Sequence, residues 1–142
     1  MTQHEFLIGD LAKATGTSPE SIRHYEKIGL MNPPARSAAN RRVYDQAAMD
    51  RLRFIRHSRE LGFALDDIRI LLDLSDHPNR DCAEADEIAS ARLAEVTSRI
   101  ARLEALKKEL ERMIGACRHN VSAECRVIEV LSDHALCQHH QH

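Results

Sequence analysis

The sequence predicts a mainly α protein, and three observations carry that prediction. Aromatics make up only 4% of the 142 residues and Trp is absent, so the core must come from Leu, Ile, Val and Ala rather than from sheet-forming aromatics. Only 5 Gly and 4 Pro interrupt the chain. The second half carries an apolar seam that steps by fours and threes, the spacing of a helix packed along one stripe.

Two short helices open the chain. Ile8, Leu11 and Ala12 recur at helical spacing, and the segment closes at Thr15-Gly16-Thr17-Ser18. Ser18-Pro19 starts the second helix, with a serine at the N-cap and proline in the first helical position, where its missing N–H costs nothing. That helix runs to about Lys27 and ends near Gly29. Two short helices around a tight turn make a helix-turn-helix candidate, a pattern that also occurs in chains with no nucleic-acid partner. Residues 31–44 break the period: Pro33-Pro34, a polar Ser37-Ala38-Ala39-Asn40 turn and Arg41-Arg42-Val43-Tyr44 predict a short hairpin, or wing. Helical spacing resumes at Met49, Leu52, Ile55 and Leu61, and again at Leu65, Ile68, Leu71 and Leu72 after Gly62-Phe63. Residues 75–81, with Pro78, read as a linker. From about Cys82 a long helix carries Ala89, Leu93, Val96, Ile100, Leu103, Leu110 and Ile114 on one seam, interrupted only at Lys107, and Gly115 stops it. The first 75 residues are too few to cover such a seam, which predicts dimerisation through a coiled coil.

Composition excludes several classes. No run approaches the roughly 18 apolar residues of a membrane span, and the first residues have no charged segment followed by an apolar one. The expectation is a cytoplasmic protein with no membrane partner. No Gly-rich phosphate loop and no nucleophile–base set appears, so an enzyme is not expected. The net charge of −2 hides an asymmetry, because residues 17–60 hold 9 basic and 5 acidic side chains, an excess of +4. A local positive field suits a polyanion, although ordinary helix surfaces carry similar charge.

All four cysteines (Cys82, Cys117, Cys125, Cys137) and six of the nine histidines lie in the second half. Cytosolic thiols stay reduced, so the clustering points to metal or redox chemistry rather than disulfides. Cys117 and Cys125 bracket seven residues. A pair of thiols alone leaves a buried, a redox and a metal-binding reading open.

Several linked segments together resemble the MerR family: Ile8-Gly9-Asp10-Leu11-Ala12, Ser21-Ile22-Arg23-His24-Tyr25-Glu26, Gly29-Leu30, Asn40-Arg41-Arg42-Val43-Tyr44, Leu52-Arg53-Phe54-Ile55 and Leu61-Gly62-Phe63-Ala64-Leu65-Asp66-Asp67-Ile68. The resemblance spans roughly residues 5–130. Two positions depart from it: His24 replaces the usual Tyr, and Ala64 replaces a Ser that caps the fourth helix. It implies a winged helix-turn-helix DNA-binding domain over residues 5–75, an antiparallel coiled-coil dimerisation helix over 82–116, and a metal-binding loop with a His/Cys-rich tail over 117–142. Such a homodimer sits on double-stranded promoter DNA with an over-long spacer and distorts it on binding effector, so that RNA polymerase engages both promoter elements. Residue by residue, the resemblance assigns DNA contacts to Ser21, Arg23, His24 and Tyr25 on the second helix, and to Arg36, Asn40, Arg41 and Tyr44 on the wing.

Antiparallel pairing gives Cys82 a role. A continuous helix from Cys82 to Cys117 would rise roughly 52 Å, so the two cannot meet within one chain. In the dimer the start of one helix lies beside the end of the other, and Cys82 would join the partner's Cys117 and Cys125. Three soft thiolates favour a divalent ion (zinc, cadmium or lead) over a monovalent one, which two suffice to hold. The resemblance agrees, because copper and gold sensors carry Ser at the position of Cys82. The seven-residue loop, however, resembles that of a copper(I) or gold(I) sensor, which is the alternative reading. His119 is a fourth-ligand candidate or a solvent-facing loop residue. The tail His134, Cys137, His139 and His140 is an auxiliary candidate by composition alone.

Other classes fit less well. An iron–sulfur redox sensor needs four grouped cysteines, and a drug sensor needs a far larger C-terminal domain. A metal-storage scaffold would use the same thiols but has no need of the wing.

Overall fold

The computed structural model describes residues 4–115 and 125–133. The chain divides into two compact units, residues 1–88 and 89–142. Strand β1 (Phe6–Leu7) leads into α1 (Ile8–Thr15) and α2 (Pro19–Lys27), followed by β2 (Ala35–Arg36), β3 (Arg42–Tyr44), α3 (Gln46–Glu60) and α4 (Leu65–Ser75). Helix α5 (Ala83–Gly115) and the short α6 (Arg126–Ser132) complete the order. The mainly α expectation holds, as do the helix-turn-helix, the hairpin and the long helix.

Local chemistry sets the ends. Asp10 accepts from the Leu7 N–H at 3.3 Å at the start of α1. Gly16 closes that helix at φ 66, a left-handed conformation that a side chain resists. Ser18 caps α2 by accepting from the Ser21 N–H at 3.1 Å, and Pro19 follows it. Asp45 caps α3 through the Ala48 N–H at 2.9 Å, four residues before Met49, the first apolar position that marks the helix in the sequence. Ala64 stands at the N-cap of α4 with no side-chain bond, as its departure from the family pattern implies.

The three strands form one antiparallel sheet in the order β1-β3-β2, pairing Phe6 with Tyr44, Leu7 with Val43, Ala35 with Val43 and Arg36 with Arg42. Strand β1 is new relative to the sequence reading, because two residues carry no alternation to read. The core of the first unit gathers Leu11, Ile22, Leu30, Met31, Tyr44, Met49, Leu52, Ile55, Ile68 and Leu72, with Phe6, Ile28, Phe54 and Phe63 packed against it. At the end of α4, Arg80 donates to Asp73 at 2.7 Å, and this bond holds the Asp73 carboxyl below its usual range.

Helix α5 is 33 residues long, about 50 Å at 1.5 Å per residue. Its seam residues Leu93, Ile100, Leu103, Leu110 and Ile114 are 47% to 66% exposed. Glu109, paired with Arg112, and Met113 are buried one turn apart on α5, and Val130 is buried on α6. No helix among the described residues is long and apolar enough to cross a membrane.

Candidate nucleic-acid interface and metal ligands

Helix α2 is oriented by Ile22, fully buried in the core. With Ile22 inward, Arg23 and His24 are exposed, and Tyr25 is half-buried with one side on the core. The rings of His24 and Tyr25 lie 6.1 Å apart. Ser21 is half-buried, and its hydroxyl accepts from Ser18 at 2.9 Å as part of the helix start. Beyond α2, Gly29 takes φ 82, and the Leu30 N–H returns to the Tyr25 carbonyl at 2.9 Å.

The wing presents Arg36, Asn40 and Arg41, all exposed. Its turn is built by the Ser37 N–H on the Arg41 carbonyl at 2.8 Å, the Asn40 N–H on the Ser37 carbonyl at 2.8 Å, and the Arg41 N–H on the Ser37 hydroxyl at 3.2 Å. Asn40 adopts φ 60, a left-handed conformation that Asn tolerates better than most residues. Arg36 donates to the Asn40 carbonyl at 3.4 Å across the turn.

Tyr44 is placed differently from the expectation. It is 3% exposed, sits in the core, and its hydroxyl donates to Glu26 of α2. Burial first, then the bond to Glu26 and its charge, push the Tyr44 hydroxyl far above the ordinary tyrosine range, against the opposing pull of Arg42 and Arg23. Residues on a strand alternate between faces, and a short run of Arg-Arg-Val-Tyr does not reveal which of them turns inward.

Sequence reasoning missed two residues of this region, Glu26 and Arg42. The Arg42 Nε lies 3.5 Å from the second carboxylate oxygen of Glu26, whose side chain is 9% exposed. The partners are far apart in the chain, and no local pattern signals the pairing. Arg51 is likewise turned to internal use, donating to the Leu30 carbonyl at 2.6 Å and to Asp76 at 3.3 Å. Two of the nine basic side chains of residues 17–60, Arg42 and Arg51, thus serve internal partners, while Arg23, Arg36 and Arg41 are exposed.

Cys82 is exposed immediately before α5, where the Asp86 N–H bonds its carbonyl at 3.0 Å. Cys125 is half-buried at the N-cap of α6. Both thiols are soft donors, and both lie at helix starts. Cys117, His119, His134, Cys137, His139 and His140 lie outside the described residues. Among the described residues, no three His, Cys, Asp or Glu side chains gather at one point.

Comparison with known proteins places this architecture. Residues 6–75 match the family described as MerR HTH family regulatory protein, and residues 49–113 match the one described as MerR, DNA binding. The HTH-type transcriptional regulator ZntR of Escherichia coli K12 is 38% identical over 133 residues, which cover 92% of this chain and 94% of that protein. A probable heavy metal-dependent transcriptional regulator of Haemophilus influenzae is 37% identical over 125 residues, covering 88% of this chain and 98% of the relative. Among solved structures, the transcription regulator PbrR691 of Ralstonia metallidurans CH34, in complex with lead(II), superposes with a TM-score of 0.74 at 37% identity, covering 89% of this chain and 98% of that one. The chain belongs to the MerR family of helix-turn-helix transcriptional regulators.

Proposed function

We propose that this chain is a homodimeric regulator that binds double-stranded promoter DNA and activates a heavy-metal resistance or efflux promoter when it takes up a soft divalent ion, zinc, cadmium or lead. The observation that carries the reading is the uncovered seam of α5. Five large apolar side chains at coiled-coil spacing are about half or more exposed, and a second copy of the same helix buries them. Antiparallel pairing then lays the start of one helix beside the end of its partner. Cys82 of one chain with the partner's Cys117 and Cys125 offers three thiolates, with His119 as the further donor. Bound there, the ion supplies the positive charge that lets three thiolates share one point.

Residues 5–75 serve as the DNA-binding part, 82–116 as the dimerisation helix, and 117–142 as the metal-binding part with its auxiliary tail. Arg23, His24 and Tyr25 on α2, with Ser21 at its start, and Arg36, Asn40 and Arg41 on the wing face the DNA. Distortion of the over-spaced promoter brings both of its elements to RNA polymerase. The relatives support this reading, since one is described as heavy metal-dependent and another is solved with lead(II). The seven-residue spacing of Cys117 and Cys125 favours a second reading, a copper(I) or gold(I) sensor.

A promoter fusion exposed to zinc, cadmium, lead and copper tests both. Activation by a divalent ion supports the first reading, and activation by copper alone transfers the case to the second. A promoter that responds to none of them contradicts both.

A further inference from the structure

Glu26 stands between the two elements that carry the DNA contacts and belongs to neither set. It follows Arg23 and His24 on α2, and its carboxylate reaches across to β3, where Tyr44 follows Arg41 by three residues. One carboxylate oxygen accepts from the Tyr44 hydroxyl, and the other lies 3.5 Å from the Arg42 Nε. Both partners of the hydrogen bond are nearly buried, at 9% and 3% exposure. An exposed carboxylate here would repel a polyanion, whereas this one is withdrawn and neutralised by Arg42.

We propose that Glu26 is a positioning residue for DNA recognition: it ties β3 to α2 through Tyr44 and Arg42, and so sets the distance between the contacts on α2 and those on the wing. The inference rests on the DNA-binding reading above and adds to it. The wing needs such a tie. Strand β3 pairs with β1 and with β2 at only two positions each, a small sheet whose backbone pairing does not itself reach α2. Helix α2 is anchored separately, by Ile22. A charge-assisted hydrogen bond between nearly buried groups is stronger than a neutral one and fixes both partners. With the tie cut, each contact residue is still present, but the spacing between the two sets is no longer held.

The test uses the full chain and a duplex selected by the wild-type protein from a randomised-sequence library. Tyr44→Phe keeps the ring and removes the hydroxyl; Glu26→Gln keeps the shape and removes the charge. Each should lower affinity roughly 10-fold at one fixed salt concentration. The slope of log affinity against log salt should stay at the wild-type value, because the number of phosphate contacts is unchanged. Arg41→Ala, by contrast, should flatten that slope by about 0.9. In hydroxyl-radical footprints the protection given by the wing should remain but spread over neighbouring positions, while that given by α2 stays sharp. The double variant should lose no more than either single one, the mark of two residues acting as a unit.

Wild-type affinity in both single variants, or losses that simply add, would overturn the proposal. A flattened slope in Tyr44→Phe would make Tyr44 a direct contact and overturn it too. Helix content and melting temperature, measured on the same samples, separate loss of the tie from loss of the fold: an affinity loss that tracks unfolding overturns the positioning role. A wild-type chain that selects no duplex brings down the DNA-binding reading itself, an outcome distinct from variants that bind as the wild type does.

Discussion

The Nε of Arg51 on α3 lies 2.6 Å from the carbonyl oxygen of Leu30, the residue that seals the end of α2 into the core. A guanidinium on one helix thereby fixes the exit of another, and its second arm reaches Asp76 at the end of α4 at 3.3 Å. Arg51→Met keeps the aliphatic stem and leaves the partly buried carbonyl without its donor, which should cost about 1–3 kcal/mol of stability. Urea denaturation checks this. A midpoint equal to wild type would show that water replaces the guanidinium at no cost.

Ala64 offers the opposite sign. Its backbone is already extended, with φ −69 and ψ 153, the conformation of a capped helix start, but the methyl group accepts nothing. Ala64→Ser should add about 0.5–1 kcal/mol by satisfying a donor in the first turn of α4. Thermal melting should move upward, and a fall would mean that the hydroxyl cannot reach the turn.

The seam of α5 is the proposed dimer interface. Burying a Leu or Ile side chain contributes on the order of 1.5–3 kcal/mol, so the five exposed seam residues together supply ample drive for pairing. Ile100→Glu with Leu103→Glu places carboxylates where the partner helix must pack. Sedimentation should report a monomer. An unchanged dimer would put the interface elsewhere.

The exposed arginines of α2 and the wing should act independently of the effector. Arg23→Ala and Arg41→Ala should each weaken operator binding with or without metal, and each should flatten the salt slope by about 0.9 for a lost phosphate contact. A variant that lost only the metal response while holding full operator affinity would contradict these roles.

What was legible in the sequence follows range along the chain. Ser18-Pro19 marks the start of α2 because capping is chemistry between neighbours, and the heptad of α5 is legible because a helix repeats every turn. The hairpin shows through its prolines and its Ser-Ala-Ala-Asn turn. Strand β1 is too short to show a period, and it exists because β3 is there to pair with. Glu26 and Tyr44 meet only once the wing has folded back on α2, and that long-range contact turns Tyr44 from an expected DNA contact into an internal donor. The arginines divide in the same way, since Arg51 and Arg42 serve internal partners that nothing in their immediate neighbours announces.

In the proposed dimer each metal site is shared between two chains, and a mixed dimer tests this most directly. In an antiparallel dimer of one Cys82→Ser chain and one Cys117→Ser chain, both losses fall in the same site. The other site keeps Cys82 from one chain and Cys117 and Cys125 from its partner. Purified through two different affinity tags and titrated with cadmium, this mixed dimer should bind one ion with the affinity of the wild type, while neither homodimeric variant does. A mixed dimer that binds no better than its two parents would contradict the shared site.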